Sequence, residues 1–116
     1  MRYINDCKNH KRYNRIKIFN KNPYISVCLP ALNMKKYIEQ TVLSIINQSF
    51  QDFEIIIIND NSKDDTENII KKMQLKDNRI KLINHNINRG VYYSRVEAIL
   101  NSKGKYVILM DPDDLY

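Results

Sequence analysis

Three aspartates stand within four residues at Asp111, Asp113 and Asp114, directly after an apolar run that ends at Met110. In extended backbone, residues i and i+2 point the same way, so Asp111 and Asp113 can face one ligand together. Pro112 fixes its own φ and biases Asp111 toward an extended conformation. Two carboxylates this close repel unless a cation or hydrogen-bond donors separate them. Mn²⁺ and Mg²⁺ are hard cations that take oxygen ligands, often one or two carboxylates together with phosphate oxygens. The stretch therefore asks for a divalent metal, and the metal for a phosphate ester; an acidic surface turn is the plainer alternative. A second acidic cluster runs from Asn59 to Glu67. Counted from Asp60 as a calcium loop, its sixth position is Asp65 instead of Gly and its twelfth is Lys71 instead of Glu, so that reading fails. Asp64 and Asp65 suit helix capping, which leaves Asp60 as the functional candidate.

These acids must be positioned by regular elements. Tyr24–Leu29 is a short β-rich run ended by Pro30. Lys35–Asn47 places Ile38, Val42, Ile45 and Ile46 on one helical face. Phe53–Asn59 is apolar apart from Glu54 and its closing Asn and does not alternate, the pattern of a strand covered on both faces. Asp64–Leu75 reads as a helix with two candidate capping pairs, Ser62 with Asp65 and Asp64 with Glu67. Ile80–Asn84 is a third strand, Val91–Asn101 a third helix after Gly90, and Lys105–Met110 a fourth strand after Gly104. The order βαβαβαβ with short connections predicts parallel strands joined by right-handed crossovers. In such sheets ligands bind beyond the carboxyl ends of the strands, where the strand order reverses. A 3-2-1-4 order, assumed from the fold class, brings together Pro30-Ala31-Leu32-Asn33, Asn59-Asp60-Asn61-Ser62 and Asp111-Pro112-Asp113-Asp114.

Length and composition narrow the field. The chain has 116 residues, enough for one domain, with 43% hydrophobic and 28% charged residues. Its net charge of +6 is not spread over the domain: residues 1–22 carry seven basic side chains and one acid, and the remaining twelve basic and twelve acidic residues balance. A nucleic-acid-binding domain would carry its basic residues on a folded face, so no nucleic-acid partner is expected. Residues 1–22 are read as a basic polar extension and residues 23–116 as the folded domain. Two cysteines, Cys7 and Cys28, do not make a disulfide framework or a zinc site, and Cys28 reads as a small core residue. No apolar run reaches the ~18 residues of a membrane span, and the N-terminus has no signal-peptide h-region. A cytoplasmic protein is the expectation, with peripheral contact between the basic tail and the inner face of an anionic membrane.

With these residues identified, the chain resembles the family 2 glycosyltransferases of GT-A fold, in their N-terminal nucleotide-sugar-binding half. The resemblance runs from about Tyr24 to Tyr116. "YISVCLPALNMKKYIEQTVLSIINQSFQDFEIIIINDNSKDDT" is similar to the family's opening strand, Pro-x-x-Asn turn, first helix with its Gln-Ser/Thr-Phe exit, and Asp-Asp-Gly-Ser turn. "NRGVYYSR" resembles its Asn-x-Gly loop and Arg-bearing helix, and "YVILMDPDD" its strand ending in Asp-x-Asp. The resemblance implies a Rossmann-like parallel α/β sheet and a nucleotide-diphospho-sugar donor, a UDP-sugar above others. It implies that Pro30, Ala31, Leu32 and Asn33 line the nucleotide pocket and that Asp60 accepts a hydrogen bond from the base. Arg95 would approach the base or the phosphates. Asp111 would meet the ribose or the metal's water shell, and Asp113 would hold Mn²⁺ or Mg²⁺ on the pyrophosphate. The departures are Asn59 for the first Asp of the pair, Asn61 for Gly, Ser94 for a frequent Ala, and Val96 for a common Asn.

Plainer alternatives stand beside these roles: Asn33 as a helix cap, Asp60 as a turn residue, and Arg95 paired with Glu97 or a helix end. His10 and His85 read as surface residues, and Tyr92 and Tyr93 as packing at the sheet edge. A phosphoacceptor receiver domain is set aside, because "LPALN" follows the first strand where that fold needs an acidic pair. Members of the family continue past the Asp-x-Asp motif into an acceptor site and, in inverting members, a general base. The expectation is therefore a donor half without its acceptor half, the acceptor being a glycan, lipid or protein. The other readings are a nucleotide-binding fragment without turnover and a non-functional remnant.

Overall fold

A computed structural model of the chain describes residues 22–110. The element order is β1 (Ile25–Ala31), α1 (Ile38–Ile46), β2 (Phe53–Asn59), α2 (Thr66–Lys76), β3 (Ile80–Asn84), α3 (Val91–Leu100) and β4 (Tyr106–Leu109). All four strands are parallel in the order β3-β2-β1-β4, so the chain reverses direction across the sheet between β1 and β4. The assumed 3-2-1-4 order is the one the structure has.

Strand alternation divides the core into two layers. Val27, Leu29, Ala31, Ile55 and Ile57 turn to one face, where Ile38, Val42 and Ile45 of α1 and Ile70 and Met73 of α2 cover them. Cys28, Ile56 and Ile58 turn to the other face, against Ala98 of α3. Every residue of β2 is buried, which accounts for its apolar run lacking alternation. Burial, followed by the charge of Glu54, pushes the Cys28 thiol up to about 11, so it stays protonated and inert in the core.

Three boundaries differ from the sequence expectation by more than one residue. β1 continues through Pro30 to Ala31, and among the described residues the missing N–H breaks no ladder bond. The Ala31 carbonyl accepts from Asp60 N–H on the β2 side, while the Cys28 carbonyl accepts from Met110 N–H on the β4 side. Pro30, in phase with Cys28, turns toward β4 beyond the last ladder pair of the described residues, Cys28 with Leu109. The first helix starts at Ile38 instead of Lys35, because the preceding backbone is tied to α2: Met34 N–H donates to Thr66 Oγ1 (2.9 Å) and Lys35 N–H to Asp64 Oδ2 (3.2 Å). The second starts at Thr66, whose N–H donates to Asp64 Oδ1 (3.0 Å), and neither expected capping pair forms.

β4 is docked by a buried polar relay. Ser26 Oγ donates to Glu54 Oε2 (2.6 Å), Lys103 N–H donates to the same oxygen (2.7 Å), and Gly104 N–H donates to Ser26 Oγ (2.8 Å). A Cβ on Gly104 would lie 2.6 Å from the Ser26 backbone nitrogen, so only glycine brings the chain this close to β1.

Candidate functional site

The carboxyl ends of β1 and β2 and the loops that follow them lie side by side. Pro30 and Ala31 are buried strand residues, whereas Leu32 and Asn33 are exposed on the loop. Asn33 adopts φ 52°, a left-handed conformation that asparagine tolerates better than most residues. It does not cap α1. Its N–H donates to Ser62 Oγ (3.0 Å) and its Oδ1 accepts from Lys63 N–H (2.7 Å), which latches the β1–α1 loop to the β2–α2 loop. Ser62 in turn donates to Asn59 Oδ1 through both its hydroxyl and its N–H, and Asn59 Nδ2 donates to Asn84 Oδ1 (2.9 Å) at the end of β3. The side-chain amide of Asn59, where the resembling family has an aspartate, can donate to Asn84 while its oxygen accepts from Ser62. A carboxylate could only accept.

Asp60, one residue past β2, is 3% exposed. Its Oδ1 accepts from Arg89 N–H (2.8 Å) and faces His85 Nδ1 (2.8 Å), and its Oδ2 accepts from Gly90 N–H (2.9 Å). Burial alone would push this carboxyl up. The bonds from Arg89, His85 and Gly90, with the charge of His85, outweigh that and hold it below the ordinary aspartate value. A carboxylate has about four acceptor positions; described residues occupy three, and one remains on Oδ2.

His85 is not the surface residue its sequence context suggested: its side chain is 5% exposed. Nδ1 faces Asp60, and Nε2 makes a short contact with Glu97 Oε1 of α3. The ring lies edge-on to Tyr93 at 5.7 Å, and the Arg89 guanidinium sits over the Tyr93 ring at 5.0 Å. Tyr92 is exposed instead of packed at the sheet edge. Glu97 pairs with His85, where spacing suggested Arg95. Arg95 is half-buried on α3, beside the buried Ser94 whose hydroxyl donates to the Gly90 carbonyl (3.0 Å). Gly90 starts that helix at φ 92°, a conformation open to glycine. One signal could have revealed His85. Asn59 pairs with Asn84 in the β2–β3 register, so the next residues, Asp60 and His85, leave adjacent strands together.

Asp111 and Asp113, the metal candidates, lie outside the described residues, as do His10 and Cys7. Among the described residues no three His, Cys, Asp or Glu side chains gather as a metal site. The approach to the two aspartates is described as far as Met110, which is buried and hydrogen-bonded to Cys28 of β1 (3.0 Å). The strand ends thus offer exposed loop residues at Leu32 and Asn33 and a buried anion at Asp60, and Arg95 lies half-buried on α3. That set can recognise an N–H-bearing base and a negatively charged group together.

Comparison with known proteins adds three findings. The model of the family described as Glycosyl transferase family 2 matches residues 26–116. A GalNAc(5)-diNAcBac-PP-undecaprenol beta-1,3-glucosyltransferase of Campylobacter jejuni is 37% identical over 93 residues, which cover 79% of this chain and 30% of the relative. The UDP-Glc:alpha-D-GlcNAc-diphosphoundecaprenol beta-1,3-glucosyltransferase WfaP of Escherichia coli is 39% identical over 92 residues, covering 79% and 36%. The chain therefore spans about a third of the length of these curated relatives. Among solved structures, residues 1–349 of TarS from S. aureus in complex with UDP superpose with a TM-score of 0.73 at 31% identity, over 78% of this chain and 28% of that one.

Proposed function

The chain belongs to glycosyl transferase family 2, and on that premise we propose that it forms the donor side of a glycosyltransferase that binds a nucleotide-diphospho-sugar, with UDP as the nucleotide. One observation carries the reading: the β1 and β2 ends lie side by side next to the point where strand order reverses, and the buried Asp60 carboxylate directly follows β2. The likeness to a UDP-bound structure and to a relative named for UDP-glucose supports the choice of nucleotide. Pro30 to Asn33 form the wall of the pocket, Asp60 offers its remaining acceptor position to a base N–H, and Arg95 balances phosphate charge.

Asp113, with Asp111 two positions before it in the sequence, would hold Mn²⁺ or Mg²⁺. The donor set fits in chemistry, since the carboxylates of an Asp-x-Asp motif supply hard oxygen ligands. The metal would supply Lewis-acid stabilisation of the departing diphosphate. The acceptor is a glycan, lipid or protein, and the names of both glucosyltransferase relatives favour a polyprenol-diphosphate-linked one.

A second reading, nucleotide binding without transfer, is favoured by the state of the described acids Asp60, Glu97 and Asp64. Asp60 and Glu97 are both tied to His85, and Asp64 to Thr66 and Lys35. The test is a ¹⁵N NMR titration of the 116-residue chain with UDP and Mg²⁺, then trace Mn²⁺. UDP shifts near Asp60 and Mn²⁺ broadening near Asp113 are expected. A dispersed spectrum indifferent to both would overturn the donor-site reading. Metal-dependent UDP binding with no sugar transferred or hydrolysed would select the second.

A further inference from the structure

The ring that connects Asp60, His85 and Glu97 is more than a set of satisfied polar groups. Its members come from the end of β2, the loop after β3 and the middle of α3, and both nitrogens of one imidazole face carboxylates. A neutral imidazole has one N–H. It could donate to one carboxylate only and would turn a lone pair on the other. With the His85 side chain 5% exposed, water has little access to relieve that repulsion. The geometry therefore favours the imidazolium, which donates on both sides.

We propose that His85 is a positioning residue: as an imidazolium shared by Asp60 and Glu97, it locks the loop from His85 to Gly90, and the start of α3, onto the end of β2. Asp60 completes the lock by accepting the N–H groups of Arg89 and Gly90, so Glu97 holds the beginning of its own helix through His85 and Asp60. Among the described residues the other charged groups nearby are few. Arg89 lies over the Tyr93 ring that borders His85. From α2, Glu67 reaches only Asn84 (3.3 Å) and is itself paired with Lys71 (2.8 Å). The two carboxylates thus dominate the field at the ring.

Burial pushes the imidazole toward the neutral form, but the hydrogen bonds and charges of Asp60 and Glu97 outweigh it and raise its pKa. A raised value means that the stabilisation is complete below the ordinary histidine value of about 6.5 and is lost as pH rises through the higher folded value. The depressed Asp60 sets the opposite limit: its contribution is present above the ordinary aspartate range and is lost as pH falls through its lower folded value. The lock is therefore tightest in mildly acidic solution and loosens on the alkaline side. A further step, that the lock presets Asp60 for its ligand, rests on the donor-site reading.

The test uses the 116-residue chain without ligand. The His85 ring resonances are followed against pH by NMR, together with hydrogen exchange at the Arg89 and Gly90 amides corrected for intrinsic rate. His85 should titrate above the ordinary value, and protection of both amides should fall about tenfold as it does, the size expected for losing a charge-assisted hydrogen bond. Glu97→Gln should lower that midpoint. His85→Gln, which keeps a donor but no titrating charge, should leave the two amides with pH-independent protection. If His85→Gln does not fold, the wild-type titration and Glu97→Gln still decide. A midpoint at or below about 6.5, or protection that is flat across the midpoint, overturns the proposal. UDP affinity is then measured on the same samples. Affinity that follows the His85 midpoint extends the lock to the ligand, whereas pH-independent affinity overturns that extension. Absence of UDP binding at every pH, with the exchange result intact, overturns the donor-site reading and leaves the lock standing.

Discussion

Single residues in the strand-end loops are chosen for backbone conformation as much as for chemistry. Asn61 stands where the resembling family has glycine, and it adopts φ 64°. Glycine enters that region freely and asparagine at small cost, while alanine would be strained by about 1 kcal/mol. Asn61→Ala should lower stability by about that amount, and Asn61→Gly should stay within roughly 0.5 kcal/mol of the native chain, since the strain it relieves offsets added unfolded-state entropy. Urea unfolding midpoints of the two variants check this, and equal losses would show that the asparagine side chain, not φ, matters. Asp60 was legible from its place directly after an apolar strand. Its commitment to Arg89, Gly90 and His85 was not, because those partners lie 25 to 30 residues away and no local pattern encodes them.

At the level of elements, burial separates strands that look alike in sequence. β2 and β4 are both apolar runs, yet β2 is enclosed on both faces while the residues of β4 are between 38 and 52% exposed. β4 pairs only with β1 among the described residues, through Ile25 to Cys28. On one of its faces Tyr106 meets Tyr24 edge-on, and Tyr24 meets Phe50, at 5.2 and 5.7 Å. An edge strand with exposed apolar side chains is a template for pairing with another chain. Sedimentation velocity over a concentration series should therefore show self-association of the 116-residue chain. Val107→Lys should reduce it while changing stability by less than about 1 kcal/mol, because exposed edge positions gain little from burial. Identical concentration dependence in the two chains would refute the edge as the cause.

For the whole molecule the decisive quantity is where the charge sits. Residues 23–116 are neutral in sum, and the whole excess of +6 belongs to residues 1–22. No helix among the described residues is long and apolar enough to cross a membrane. We therefore extend the functional proposal to electrostatic contact between the basic segment and an anionic membrane, at roughly 1 kcal/mol for each basic residue near the surface. Deleting residues 1–22 should abolish co-sedimentation with phosphatidylserine vesicles at low salt and leave UDP binding unchanged. Partitioning that survives the deletion, or that ignores lipid charge, would remove the membrane from the account.

The number, type and order of the elements were determined by the sequence alone, because periodicity acts over a few residues. The run Phe53–Ile58, apolar but for Glu54 and without alternation, marks a strand enclosed on both faces, and the spacing of Ile38, Val42 and Ile45 marks a helix on a core. The motifs that resemble the glycosyltransferase family were also there to be read. Tertiary structure alone decided that Pro30 lies within a strand, paired with Ile58 of β2 and, among the described residues, past the last pair with β4. It alone decided that His85 is an internal cation, since parallel register sets it beside Asp60 and helix packing brings Glu97 to its other nitrogen. Such contacts join residues that are distant in the chain. Their energies come from how the crossovers pack, and that leaves no period in the sequence to read.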